Sequence, residues 1–217
     1  MSVFKSVKKR IKKIIRKLGT EDYTDIVFKN NETILTNKIY VGKNCSFGGT
    51  EFIQLGKKII FGDGTKLIAI SSFVSPVAQQ EFKPIIKIGN NVQVTASLQV
   101  YAMKEIVIDD NVLFASNVFI SDGFHGYNRT DVAYKDQPIS DLESIHIGEG
   151  SWIGQNVVIM PGVSVGKFSI VGANSVITKP IPAYCIAAGV PARIIKRWDF
   201  AKNEWIQSKE EYKISEG

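Results

Sequence analysis

Histidine is the side chain best suited to move a proton at neutral pH, and this chain of 217 residues contains two, His125 and His146. An imidazole is half-ionised near neutral pH, so it can accept a proton from a hydroxyl group and return it later. His146 precedes Ile147, which belongs to a regular aliphatic pattern, so strand alternation directs it outward and we expect a solvated or subunit-facing residue. His125 lies between Gly123 and Gly126 in a stretch without that pattern. A lone loop histidine is ordinarily a surface residue, so the residues alone make His125 a candidate base and no more.

The cysteines provide neither a metal site nor an evident disulfide. Cys45 and Cys185 lie far apart, in no metal-ligand spacing, and we expect the reduced thiols of a cytoplasmic protein. Both fall in regularly patterned regions rather than beside His125. We therefore expect no metal and no covalent intermediate on a cysteine.

The regular pattern is a six-residue repeat, which must position these groups. Each aliphatic residue is followed four positions later, through the first five units, by a small or β-branched residue. A period of six fits neither a helix nor a two-faced strand, but it fits a short strand followed by a tight corner. Three such units close one triangular coil, and stacked coils pair their strands in parallel. We therefore predict an all-β fold, a parallel β-helix shaped as a triangular prism. The clearest units begin at Ile147, Ile153, Ile159, Val165, Val171 and Ile177.

The repeat is interrupted at places where we expect loops. Ile120 and Ile147 are 27 residues apart, which is not a multiple of six, and the turn-rich stretch near 121–144 carries His125. A second interruption near 71–84 offers only Ser, Gln, Lys and Glu as polar groups, so it is a weaker functional candidate. A smaller slip occurs at residues 103–105.

The segment 147–193, which ends in AAGVPAR, resembles the C-terminal coils of the hexapeptide-repeat acyltransferases. The galactoside, maltose and xenobiotic acetyltransferases and the bacterial capsule and lipopolysaccharide O-acetyltransferases are the most similar groups. The resemblance covers residues 86–195 well and 38–70 loosely. It implies a left-handed β-helix, acetyl-coenzyme A as donor, and a homotrimer with its cleft between adjacent prisms. It also implies that His125 is the general base, because the family's catalytic histidine follows the preceding hexad by five positions, as His125 follows Ile120.

The same resemblance implies a donor site on the later coils. Trp152 matches a tryptophan that packs along the pantetheine arm, although a tryptophan on an outer prism face is equally explained by burial against a neighbouring subunit. Ala173 matches a small residue whose backbone contacts coenzyme A. Gln155 stands where the family often has a small polar residue near the donor.

Three further residues match positions near the pantetheine, pyrophosphate and 3′-phosphate of the donor: Thr178, Lys179 and Arg193. Lys and Arg suit phosphate charge. Pro180 replaces the acidic residue that commonly follows this lysine in the family.

Acceptor residues are expected beside His125. Asp122, Tyr127 and Asn128 offer the hydrogen-bonding groups that a sugar requires, although from chemistry alone residues of these types are more often plain turn residues. Asp122 alternatively orients the imidazole.

The positive charge of the chain is concentrated at one end. Residues 1–20 contain eight of the 27 basic residues and no acid, while the remainder carries 19 basic and 21 acidic residues. A nucleic-acid-binding body is therefore excluded, because it lacks a basic face. Apolar residues within 3–18 recur at spacings of three and four, which predicts a basic amphipathic helix over 1–20. It suits an anionic inner-membrane surface, packing on another subunit, or a mobile tail.

The remaining organisation follows from composition. The chain shows no apolar run long enough to span a membrane and no signal-peptide pattern, so we expect a cytoplasmic location, with peripheral inner-membrane contact through residues 3–18. Residues 21–195 are expected to form the β-helix domain. Residues 196–217, rich in aromatic side chains, are expected to form a short helix that caps the prism.

The expected activity is O-acetylation of a sugar hydroxyl in a bacterial surface polysaccharide or its precursor. N-acylation of an amino sugar or another amine, and acetylation of a xenobiotic, share the fold and donor. An inert β-helix scaffold is the non-enzyme alternative. Zinc carbonic anhydrases of similar fold need three histidine ligands, and this chain has two histidines.

Overall fold

In the computed structural model, which describes residues 39–208, the chain is built almost entirely of short strands. Successive strands enter three sheets, A, B and C, in rotation, and within each sheet the stacked strands pair in parallel. Each passage through the three sheets is one coil. The predicted all-β architecture is confirmed, and the strand order is that of a β-helix.

The strands of sheet A that belong to the coils are β1 (Tyr40–Val41), β4 (Ile60–Phe61), β9 (Gln93–Val94), β12 (Leu113–Phe114), β17 (Trp152–Ile153), β20 (Ile170–Val171) and β22 (Cys185–Gly189). Sheet B contains β2 (Ser46–Gly48), β5 (Lys66–Ala69), β10 (Gln99–Ala102), β13 (Phe119–Ser121), β18 (Val158–Ile159) and β21 (Val176–Ile177). Sheet C contains β3 (Ile53–Leu55), β8 (Ile85–Ile88), β11 (Glu105–Ile108), β16 (Ile145–Ile147) and β19 (Ser164–Val165).

Three hairpins or ribbons lie beside the coils: β6 (Ser72–Ser75) with β7 (Ala78–Glu81), β14 (Phe124–His125) with β15 (Ile139–Ser140), and β23 (Ala192–Asp199) with β24 (Glu204–Gln207). Two short 3₁₀ helices occupy Thr50–Phe52 and Tyr134–Asp136. No helix within 39–208 is long and apolar enough to cross a membrane.

The aliphatic residues of the hexads form the core. Ile120, Ile159 and Ile177 stack in register through sheet B, and all three are completely buried. The small residues four positions later are buried near the corners, where the serine hydroxyls donate to backbone carbonyls. Ser169, for example, donates to Pro182 O at 2.8 Å. These residues must be small because little room remains beside the corner, and their hydroxyls must be paired because they are out of water.

The corners are made by residues with left-handed backbone angles at the same six-residue interval. In the later coils these are Gly150, Asn156, Gly162, Phe168 and Asn174, with φ between 53° and 76°. The Asn156 side chain donates to Asn174 Oδ1 at 2.9 Å, which links one coil to the next along the corner. Gly and Asn are favoured here because they tolerate left-handed angles at low cost.

The interruptions of the repeat lie at one corner, between sheets B and C, which we call the B–C corner. The β6–β7 hairpin leaves it after β5, and the segment 122–144 leaves it after β13. The slip at residues 103–105 lies at the same corner in the intervening coil, between β10 and β11. The chain therefore displays its irregular segments on one edge of the prism.

The prediction of a C-terminal helix is wrong for residues 196–208, the part of the tail that the structure describes. Residues 192–199 and 204–207 are antiparallel strands that extend sheet A beyond β22, with Trp198 opposite Trp205. The open edge of β22 provides unpaired backbone groups, and the aromatic and β-branched residues of the tail favour strand. Residues 209–217 and the basic segment 1–20 lie outside the described residues.

Candidate active site

His125 is held on a two-stranded ribbon at the B–C corner. It is the last residue of β14 and lies opposite Ile139 of β15, and the next residue, Gly126, donates its N–H to Pro138 O at 2.7 Å. A methyl group at Gly126 would lie 2.7 Å from that same carbonyl oxygen, so the close approach of the two strands requires glycine there. The imidazole is exposed to solvent. The ribbon thus presents it at the edge of the prism on a fixed backbone.

The β6–β7 hairpin packs against this ribbon. The ring of Phe73 meets the imidazole of His125 edge-on, with 5.3 Å between the centroids and 73° between the planes. Sequence reasoning ranked the hairpin as the weaker candidate because it has few ionisable groups. Counting hexads in threes would have placed both interruptions at the same corner, because each follows a unit of sheet B, but the contact between Phe73 and His125 has no signal in the sequence.

Asp122 lies at the base of the ribbon and is completely buried. Its two carboxylate oxygens accept hydrogen bonds from the backbone N–H groups of Met103 and Lys104, both at 2.8 Å. Burial raises the pKa of this carboxyl group, and the bonds from these N–H groups oppose that rise. The carboxylate therefore ties the ribbon to the slip at residues 103–105, and it is closed to solvent. Among the predicted acceptor residues, Tyr127 and Asn128 are exposed just beyond His125.

A buried amide that sequence reasoning missed organises the rest of the loop. Gln137 is almost completely buried, and its side-chain oxygen accepts from Arg129 N at 3.2 Å. Its amide nitrogen donates to Arg129 O at 2.7 Å and to Val132 O at 3.0 Å. This glutamine closes the loop 129–137 on itself.

Two of the predicted donor residues share the corner with His125. Thr178 follows Ile177 of β21 in sheet B as Ser121 follows Ile120 of β13, and β18 lies between these two strands. At the usual strand spacing, Thr178 and Lys179 therefore lie about 10 Å along the prism axis from the base of the ribbon. Both side chains are exposed. A molecule extended along this corner could reach both the imidazole and these residues.

The other predicted donor residues lie elsewhere on the same prism. Gln155 and Ala173 follow β17 and β20, at the corner between sheets A and B, and both are exposed. Arg193 is exposed on β23, where its guanidinium donates to Ala192 O at 3.0 Å. Within one chain, the residues predicted to bind acetyl-coenzyme A therefore lie on separate edges of the prism.

Trp152 opens onto an aromatic groove of about 380 Å³ on sheet A. Trp152 as a whole residue remains 48% exposed, and the C-terminal hairpin forms one wall of the groove. That wall was missed because the tail was expected to be helical. The groove is lined by Gly150, Trp152, Phe168, Ile170, Tyr184, Trp198, Phe200 and Trp205.

Within residues 39–208, no cluster of three or more His, Cys, Asp or Glu side chains is placed to hold a metal ion. In the same range every buried side-chain nitrogen and oxygen has a hydrogen-bond partner.

Sequence comparison places these features in a family. The family described as bacterial transferase hexapeptide (six repeats) matches residues 144–179. WbbJ of Escherichia coli (strain K12), provisionally assigned as a lipopolysaccharide biosynthesis O-acetyl transferase, is 30% identical over 185 residues, which cover 82% of this chain and 86% of WbbJ. The chain belongs to the hexapeptide-repeat acyltransferases. The galactoside O-acetyltransferase of the same organism is 37% identical over 128 residues, covering 58% of this chain and 61% of that protein.

Solved structures of two acyltransferases share the fold. A mutant of AntD, an N-acyltransferase from Bacillus cereus in complex with dTDP-4-amino-4,6-dideoxyglucose and coenzyme A, superimposes with a TM-score of 0.57 at 18% identity. The match covers 78% of this chain and 88% of that one. A hexapeptide-repeat acetyltransferase from Vibrio cholerae O1 biovar eltor, complexed with acetyl-coenzyme A, gives a TM-score of 0.50 at 19% identity, covering 90% and 88%. At these identities the likeness concerns the fold alone.

Proposed function

We propose that this acyltransferase moves an acetyl group from acetyl-coenzyme A to a sugar hydroxyl of a bacterial surface polysaccharide or its precursor. The observation that carries the proposal is the exposed imidazole of His125, held on a fixed ribbon beside a corner that also presents Thr178 and Lys179. The similarity to WbbJ over 82% of the chain supports a glycan acceptor.

In the proposed reaction His125 acts as general base. It takes the proton from the acceptor hydroxyl as the oxygen attacks the thioester carbonyl, and it returns the proton to the thiolate of coenzyme A as the carbon–sulfur bond breaks. Backbone N–H groups stabilise the tetrahedral oxyanion between these two events. Transfer is direct, because Cys45 and Cys185 are buried among the core residues and cannot reach a thioester at the surface.

The donor site needs a second copy of the chain. His125, Thr178 and Lys179 share the B–C corner, whereas Gln155 and Ala173 lie at the corner between sheets A and B. The two edges of sheet B face away from each other across one prism, whereas edges of adjacent prisms can line one groove. We propose a homotrimer of left-handed β-helices in which the pantetheine arm follows Trp152 in the cleft between subunits. Lys179 and Arg193 are proposed to meet the donor's phosphate groups.

The acceptor is proposed to bind beside the ribbon, with the exposed Tyr127 and Asn128 as hydrogen-bonding groups. Asp122 is assigned a positioning role at the base of the ribbon, because both of its carboxylate oxygens are bound to backbone N–H groups. We further propose that the enzyme works in the cytoplasm, with residues 3–18 at the inner-membrane surface.

The test is acetyl-coenzyme A turnover with a panel of acceptors, followed as release of free thiol. The His125→Ala variant should turn over about 10²–10⁴-fold more slowly, the usual contribution of a positioned base. Its thermal stabilisation by coenzyme A should be unchanged, because the imidazole is not proposed to bind the donor. His146→Ala is the matched control: His146 is an exposed histidine on sheet C, 2.9 Å from Asp109, and the variant should keep full turnover.

Two outcomes would contradict the proposal. Full turnover by His125→Ala would show that His125 is not the general base. Turnover with amino sugars and none with hydroxyl acceptors would replace O-acetylation by N-acylation.

A further inference from the structure

The β6–β7 hairpin and the His125 ribbon are joined strand to strand. Phe73 and Gln80 are directly opposite one another on the hairpin, and His125 and Ile139 are directly opposite one another on the ribbon. Phe73 contacts His125, and Gln80 contacts Ile139. One cross-strand pair is therefore docked on the other.

The contact at Ile139 fixes the backbone of the ribbon. The side-chain oxygen of Gln80 accepts from Ile139 N at 2.6 Å, and its amide nitrogen donates to Ile139 O at 3.1 Å. A single amide thus satisfies both backbone groups of the residue paired with His125. A further bond, from Ser75 Oγ to Asp136 O at 2.6 Å, ties the same hairpin to the residues that lead into β15.

Side-chain exposure alternates along the hairpin in agreement with this docking. Phe73, Ser75 and Gln80 are half-buried and face the ribbon, whereas Val74 and Gln79 are exposed on the other side. A hairpin that only connected two coils would not need Phe73 against the imidazole or the two hydrogen bonds of Gln80 to the opposite strand.

We propose that this hairpin is a positioning element for the general base. Phe73 restricts the orientation of the His125 ring, and Gln80 fixes the strand opposite it. An exposed imidazole otherwise samples several rotamers, and misplacement of a catalytic group by about 1 Å can lower the rate about 10²-fold. The proposal rests on the general-base role of His125, and neither Phe73 nor Gln80 is required to touch a substrate.

The first test measures ring position without activity. Histidine labelled with ¹³C at the Cε1 carbon should give two signals, because the chain contains two histidines, and the His146→Gln variant assigns them. In Phe73→Leu the His125 signal should shift as the aromatic ring current is lost, while the His146 signal stays in place. In Phe73→Tyr the His125 signal should stay close to its wild-type position. An unmoved His125 signal in Phe73→Leu would overturn the proposal.

The second test measures turnover with the acceptor found for the wild-type enzyme. Phe73→Ala and Gln80→Ala should each lower kcat about 10–100-fold, with KM for acetyl-coenzyme A unchanged, because orientation and not donor binding is lost. Gln79→Ala is the matched control on the outer face, and it should keep wild-type kcat, as should Phe73→Tyr. Wild-type kcat in both Phe73→Ala and Gln80→Ala would overturn the positioning role.

The two proposals can fail separately. If His125→Ala keeps full turnover, the general-base role fails, while the ring-current shift still reports the contact with Phe73. If His125→Ala is inactive while Phe73→Ala and Gln80→Ala are fully active, the general-base role of His125 is supported and its positioning by the hairpin is refuted.

Discussion

Replacing Asp122 tests whether its carboxylate is a structural anchor or an acceptor ligand. Asp122→Ala removes the acceptors of two hydrogen bonds of 2.8 Å, from Met103 N and Lys104 N. An unsatisfied buried donor costs about 1–3 kcal/mol. The N–H of Met103 is buried and bears this cost fully, whereas that of Lys104 is partly buried and can reach water. The free energy of unfolding should therefore fall by about 2–4 kcal/mol.

Two further variants sharpen this estimate. Asp122→Asn keeps the shape but has one acceptor oxygen, so its NH₂ group would face a backbone N–H, and the loss should approach that of alanine. Ser121→Ala is the matched control: it removes one neutral buried bond in the same turn, from Ser121 Oγ to Gly123 O at 2.7 Å. That loss should be about 1 kcal/mol.

The assay is urea unfolding followed by tryptophan fluorescence at a fixed subunit concentration, since the proposed trimer would make stability depend on concentration. The expected order of destabilisation is Asp122→Ala, then Asp122→Asn, then Ser121→Ala. The structural role is refuted if Asp122→Ala unfolds at the same urea concentration as Ser121→Ala. An Asp122→Asn variant of wild-type stability with a raised KM for the sugar would instead identify Asp122 as an acceptor ligand.

Two further predictions concern the packing of the coils. Gly62→Ala should lower the free energy of unfolding by about 1–3 kcal/mol, because a methyl group there would overlap the carbonyl oxygen of Thr95. Gly48→Ala is the control and should be tolerated, because the nearest atom to a methyl group at Gly48 is at ordinary contact distance. A thermal melt of both variants makes the comparison. Asn90→Ala should raise the depressed pKa of Asp110, because the Asn90 side chain donates to that carboxylate at 3.0 Å. The stabilisation from this bond should be present above the unfolded pKa of about 3.9 and be lost as pH falls through the lowered folded value. A carboxyl NMR titration of Asp110 unchanged in Asn90→Ala would contradict this.

The repeat was legible in the sequence because a β-helix imposes the same environment every six residues. Ile120, Ile159 and Ile177 occupy equivalent inward positions, and each faces the same choice between burial and exposure. Corner residues such as Asn156 face the same backbone requirement in each coil. Because burial and left-handed backbone angles are required at the same positions of each hexad, the same residue types recur every six positions. The β-helix could therefore be predicted from the spacing alone. His125 was selected by its place five residues after a hexad, together with the family resemblance.

The surroundings of His125 could not be predicted, because they depend on contacts between segments far apart in the chain. Phe73 meets His125 only because two irregular segments leave the same corner, and nothing in the residues near position 73 signals this. The residues around Asp122 indicate only a polar turn, and its hydrogen bonds from Met103 N and Lys104 N exist only in the folded chain. The C-terminal tail read as a helix because its own residues do not show the open edge of β22 that it pairs with. The sequence by itself thus determined the coils and singled out His125 as the proposed base. Tertiary packing decided what holds His125 in place, because hydrogen bonds and ring contacts between segments 18 to 61 residues apart leave no periodic trace.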